Sequence, residues 1–283
     1  MKNPYLLQHA AALALAMGIS TAHAADYQPL IVPEEPVVME EYQPVEIGSG
    51  WYIRGDVGYA FSSSGGASPY RTFTGGVYGN HAWDTTGIKD DWTLSLGFGY
   101  HFNDWLRADL TAERFQGRFD GSTSDPFACN NPLDTTTTCA SNDWARFTGY
   151  SAMANAYVDL GTVVGITPYV GAGAGVTWMR WDSLTNSSFC VDGTAQCGGA
   201  GATMTSHAGM HSTRFTWALM AGASYDISSN LKLDVGYRYR KVQGGDMFEF
   251  DAASQAAGAT GAQGRDTGIS SHAINIGLRY ELW

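Results

Sequence analysis

Apolar and polar residues alternate over eight stretches of the chain. In the first, Trp51, Ile53, Gly55, Val57, Tyr59 and Phe61 are bulky, aromatic or Gly, and Tyr52, Arg54, Asp56, Gly58 and Ala60 lie between them. Period-two alternation puts the two sets on opposite faces of a β-strand. The pattern returns over residues 92–102, 106–113, 150–160, 169–178, 214–226, 231–240 and 272–282. Each run is close to the roughly ten residues of a tilted transmembrane strand.

The connections alternate as well. Asn103-Asp104, residues 161–165 and residues 228–230 are short turns, whereas 62–90, 120–143, 182–212 and 244–270 are long polar links. This order predicts an all-β fold: a closed, eight-stranded antiparallel transmembrane up-and-down β-barrel over residues 50–283. Its short turns would be periplasmic and its long loops extracellular.

A soluble barrel also alternates, but it turns its apolar face inward and its charges outward. The charges argue for the opposite arrangement. The polar face carries the cations Arg54, Arg107, Arg214, Lys232, Arg238, Arg240 and Arg279. It also carries the anions Asp56, Asp109, Glu113, Asp159, Asp226, Asp234 and Glu281. A chain with a formal net charge of −11 would not give a balanced set by composition alone. Balance on one face fits an enclosed ion-pair network, where an unpaired charge is costly. The opposite face is nearly free of charge, as hydrocarbon requires. Its few charges, Arg114, Arg146, Arg180 and Lys241, are cationic and fall toward the long loops. At an outer rim they would meet the phosphates and carboxylates of lipopolysaccharide.

The start of the chain has another character. A lysine, an apolar stretch from about Leu6 to Ile19, and Ala22-His23-Ala24 predict a signal peptide over residues 1–24. Residues 25–49 are rich in Pro and Glu and read as an extended periplasmic leader. No segment offers the roughly twenty apolar residues of a spanning helix. Export makes disulfides the default for the four cysteines, with Cys129/Cys139 and Cys190/Cys197 as local pairs. The acidic balance argues against a nucleic-acid partner.

Candidate chemistry is sparse. Ser271 and His272 are adjacent in a strand and point to opposite faces, and no nucleophile–base–orienter set emerges, so no enzyme is expected. Met204, His207, Met210 and His211 offer thioether and imidazole groups that suit copper(I) or haem iron. Such clusters are usually incidental loop residues, and no cofactor is expected.

The segments GWYIRGDVGYAF, WLRADLTAERF, ITPYVGAGAGV, DISSNLKLDVGYRYRKV and HAINIGLRYELW together resemble the small outer-membrane barrels of the OmpA/opacity type. The resemblance is nearest to the major surface antigens of alphaproteobacteria. It departs at the end, where an extra Trp283 follows Tyr280-Glu281-Leu282. It implies location in a bacterial outer membrane, insertion by the assembly machinery there, and roles in envelope integrity and surface interaction. Outer-membrane lipid, lipopolysaccharide and a host or phage surface ligand are the partners it suggests. A small-solute or ion-conducting porin is the alternative.

Overall fold

Alternation becomes structure because a strand shows its two faces to two different surroundings. The computed structural model describes residues 50–128, 138–191 and 204–282, all within the unit Glu46–Trp283. The strands are β1 (Trp51–Ala67), β2 (Tyr70–Thr74), β3 (Val77–His81), β4 (Thr85–His101), β5 (Leu106–Ala128) and β6 (Thr138–Asp159). They continue with β7 (Ile166–Trp181), β8 (Leu184–Cys190), β9 (Met204–His207), β10 (His211–Asp226) and β11 (Leu231–Val242). Last come β12 (Asp246–Glu249), a short helix α1 (Ala252–Ala256), and β13 (Ala262–Glu281).

Eleven strands share one sheet in the order β5-β4-β1-β13-β11-β10-β7-β6-β8-β9, with β12 attached to β13 and an additional β5–β6 pairing. All these pairs are antiparallel, and β2 and β3 form a separate hairpin.

This corrects the expected closed eight-stranded barrel with long loops. Thirteen strands form among the described residues, and the sheet runs on past β6 into β8 and β9. The difference lies in the links read as loops. Backbone groups there still need hydrogen-bond partners, and they find them in ladders. The β5–β6 ladder continues through Gly121↔Asp143 to Asp125↔Cys139, and β8 then pairs with β6 from Trp144↔Thr185 onward.

Irregular register explains part of the misreading. Ile88 and Thr93 are both buried although five positions apart, an odd spacing that should put them on opposite faces. The ladder between β4 and β5 shifts between Asp90 and Thr93. A bulge there resets which side chains point inward.

The face assignment is unambiguous in the middle of the long strands. Leu96 is 66% exposed, Phe98 51% and Ile276 54%, while Asp56, Asp109 and Asp234 are buried. Large apolar side chains left open in a continuous band identify a surface made for lipid. Aromatic residues border this band. Trp51 lies 5.1 Å from Tyr100 toward the short turns, and Tyr59 lies 4.9 Å from Trp92 and Trp217 5.3 Å from Tyr239 toward the long links. Two such girdles mark the interfaces of an outer-membrane protein.

Candidate functional site

The buried face has two zones. Nearer the short turns it is ionic. Arg54 donates to Asp56 at 2.6 Å, to Asp109 at 2.9 Å and to the Tyr157 hydroxyl at 3.1 Å. Asp109 also accepts from Asn155 at 2.7 Å and from Tyr52 at 3.2 Å. Arg107 is fully buried and donates through Nε to both oxygens of Asp159 at 3.1 Å. Its guanidinium lies 4.3 Å from the Tyr157 ring centroid and 4.8 Å from that of Tyr169. The π faces thus stabilise a cation that few hydrogen bonds reach.

The remaining charges pair nearby. Arg279 donates to Ser224 at 2.9 Å and to Asp234 at 3.3 Å. Lys232 meets Asp226 at 2.5 Å. His101 stands 3.4 Å from Glu281. Glu113 accepts from Arg238, with Arg240 at 3.9 Å. A cavity among the described residues, lined by Arg54, Asp56, Tyr157 and Asp234, holds about 20 Å³. A single water fits in such a space, not a hydrated solute.

Toward the long links the same face turns apolar. Phe115, Phe119, Phe147, Trp181 and Phe248 are at most 2% exposed and pack with Met179, Met247 and Val242. Trp181 lies 4.9 Å from Phe147 and 5.4 Å from Phe248. Arg240 joins the zones, its guanidinium 3.7 Å from the Phe115 ring centroid. The sequence reading missed this plug by treating the whole inner face as polar. Extending the alternation was the available signal, since Phe115 and Phe119 keep phase with Glu113, and Phe147 with Ser151. Met247 and Phe248 carried no such signal, because they enter from the last long link on β12. Arg214 shows the same limit: its partner, at 2.6 Å, is Asp266, a residue of that link.

On the outer face Arg114, Arg146 and Arg180 are exposed. Lys241 is only partly so and donates to Ser270 at 3.0 Å. The register adds two cations that alternation did not supply: Lys89 is opposite Arg118, and Arg118 is opposite Arg146. Arg118 also pairs with Asp120 at 2.6 Å. Lys89, Arg118 and Arg146 line an open groove of about 640 Å³ together with Asp91 and Asp182. These cations therefore concentrate on the wall formed by β4, β5, β6 and β7.

Cys139 and Cys190 are opposite one another in the β6–β8 register, and no described cysteine is a free thiol. Cys129 and Cys197, which complete the expected pairs, lie outside the described residues, as does Trp283. His207 on β9 is opposite Leu184, whereas His211 on β10 is opposite Arg180. The side chain of Met204 also lies outside the described set. Among the described residues no group of three or more His, Cys, Asp or Glu side chains is arranged to hold a metal ion. His272 accepts or donates at 2.6 Å with the Tyr237 hydroxyl, a girdle contact.

A family model described as outer membrane protein beta-barrel domain matches residues 11–281. An uncharacterized protein of Brucella suis biovar 1 is 37% identical over 290 residues, covering 95% of each chain. The outer membrane protein PagN of Salmonella typhimurium is 24% identical over 250 residues, 87% of this chain and 95% of that one. Among solved structures, the outer membrane protein OprG from Pseudomonas aeruginosa is similar at a TM-score of 0.43 and 16% identity. That match covers 83% of this chain and 96% of OprG.

Proposed function

The chain belongs to the outer membrane protein β-barrel domain family, and from that premise we propose a non-conducting surface protein of the OmpA/opacity type. It is a protein of the bacterial outer membrane that contributes to envelope structure and surface interaction, without catalytic activity. The observation that carries the non-conducting reading is the two-zone inner face. Ion pairs fill one half, the aromatic plug fills the other, and the cavity between the charges holds about 20 Å³. A conduit needs a continuous wet path, which neither zone supplies.

The finer assignments follow from the same reading. Residues 1–24 act as the signal peptide and 25–49 as a periplasmic leader. The long links face the outside, and the outer-membrane assembly machinery inserts the chain. The inner charges form a structural network. Arg114, Arg146 and Arg180, with Lys89 and Arg118, hold lipopolysaccharide phosphates at the rim, and Lys241 contributes less. The outward end serves a host or phage surface ligand.

Conductance of the refolded full chain in planar bilayers tests the central reading. Wild-type protein should give no large, steady open state. Such a state would overturn the proposal in favour of a small-solute porin.

A further inference from the structure

A separate cavity opens at the end of the molecule formed by the long links, beyond the plug. It measures about 280 Å³, near the lower edge of the roughly 300–1,000 Å³ usual for small-molecule sites. All four long links contribute to its lining: Trp83 from the first, Asp143 from the second, Asn186 and His207 from the third, Phe248 and Gln263 from the fourth. Four links converging on one space is the arrangement by which surface loops on a rigid scaffold carry binding.

Its two sides differ in chemistry. One is polar and already ordered. Ser188 donates to Asn186 at 2.8 Å, and Asn186 donates to Asp143 Oδ1 at 2.5 Å. Ser141 donates to Asp143 Oδ2 at 2.8 Å and lies 2.6 Å from the Thr123 hydroxyl. These bonds fix the carboxylate, amide and hydroxyls in place, so a ligand would pay little to order them. The other side is aromatic. Tyr70 and Trp83 lie 5.1 Å apart at 58°. Trp83 is anchored through Nε1 to the Ser68 carbonyl at 3.2 Å and by an edge contact with Phe119 at 5.4 Å.

We infer that this cavity binds a neutral saccharide of one or two rings. A sugar ring has an apolar C–H face, which fits an aromatic wall, and a rim of hydroxyls, which fits fixed amide, hydroxyl and carboxylate groups. Asp143 is the acidic group of the lining, and no Lys or Arg joins it. An anionic ligand would bring its charge toward this carboxylate, and the lining offers no Lys or Arg to receive it. The site is distinct from the cationic outer groove, which suits phosphate.

The test uses the full chain folded in lauryldimethylamine oxide, a detergent without a sugar headgroup. Lactose, maltose and N,N′-diacetylchitobiose are the neutral probes, and 3′-sialyllactose is the charged counterpart of lactose. Saturation-transfer NMR should show at least one neutral disaccharide bound through the C–H protons of one ring face, with weaker binding of the sialylated form. Trp83→Ala and Asn186→Ala should each weaken binding roughly tenfold. A heat-modifiable gel shift verifies folding, and Asn186→Ala alone suffices if Trp83→Ala does not fold. No binding of any neutral disaccharide at about 10 mM, where even weak sites fill, would overturn the inference. Preferred binding of 3′-sialyllactose, or unchanged binding by a folded variant, would overturn it too.

Discussion

Arg54 and Arg279 are register partners on β1 and β13, two cations side by side on a buried face. Their guanidinium groups part, one to Asp56 and Asp109, the other to Asp234. These strands lie at the two ends of the described sequence and are joined by their backbone ladder, while their cations pair away from each other, with β1 and β5 on one side and β11 on the other. Like charges in register would repel strongly without such divided pairing.

Asp109 is the hub of this arrangement, accepting from Arg54, Tyr52 and Asn155. Asp109→Asn removes the charge and turns a donor toward other donors. The expected loss is about 3–5 kcal/mol, read as a lower urea midpoint for the heat-modifiable shift. Pairing Asp109→Leu with Arg54→Met should cost less than the sum of the single changes, because Arg54 and Asp109 are removed together, while the loss of Arg54 from Asp56 is common to the Arg54→Met single and the double. Strict additivity would show that the two do not interact.

The plug depends on close approach between strands. Phe115 is opposite Gly149, and Gly117 opposite Phe147, so each ring covers the glycine of its neighbour. A Cβ at position 149 would overlap the Phe115 ring. Gly149→Val should force the ring off its rotamer and destabilise the fold by about 1–3 kcal/mol. Combining it with Phe115→Ala should relieve part of that overlap. Equilibrium unfolding of Gly149→Val and of the double variant in detergent checks both statements.

The cations of the outer wall should be visible in what the protein carries with it. Changing Arg114, Arg146 and Arg180 together to Gln should lower the lipopolysaccharide that copurifies from native membranes, while adding salt to wild type should act in the same direction. Lys241→Gln alone should change little, since its ammonium already bonds Ser270. Equal lipopolysaccharide on the triple variant and wild type would discredit the rim assignment.

His207 predicts a pH effect at the long-link end. Burial lowers its pKa from the usual value of 6.5, with Asp251 and a hydrogen bond to the Glu249 backbone opposing the shift. The opened links therefore take up the proton before the folded ones do. The stabilisation is complete above about pH 6.5 and is lost as pH falls toward the depressed folded value. Proteolysis of the links should quicken between pH 7.5 and 5 in wild type, and His207→Gln should flatten that dependence. Identical pH profiles would exclude His207 as the source.

The sequence disclosed what period two can disclose. Trp51 to Phe61 and Trp92 to Phe102 sort cleanly because bilayer and interior impose opposite demands on neighbouring residues. It concealed what depends on register and on distant segments. The bulge between Asp90 and Thr93 reverses the faces, and no residue type announces it. The strands β2, β8 and β9 are short and carry no long apolar stripe, and they are held chiefly by pairing. Asp266 could not be matched to Arg214 without knowing that the last link folds inward. Phe248 likewise completes a cluster whose other members lie on strands far away in the chain.

The ladders carried by β5, β6, β8 and β9 beyond the lipid-facing band have a consequence for display. With the long links facing out, as proposed, the described parts of these stretches would offer a hydrogen-bonded relief to the outside. An approaching antibody or adhesion partner finds its footprint already assembled, so recognition there should be fast and geometry-sensitive. Peptide grafts placed inside those paired stretches would break the very ribbon that presents them.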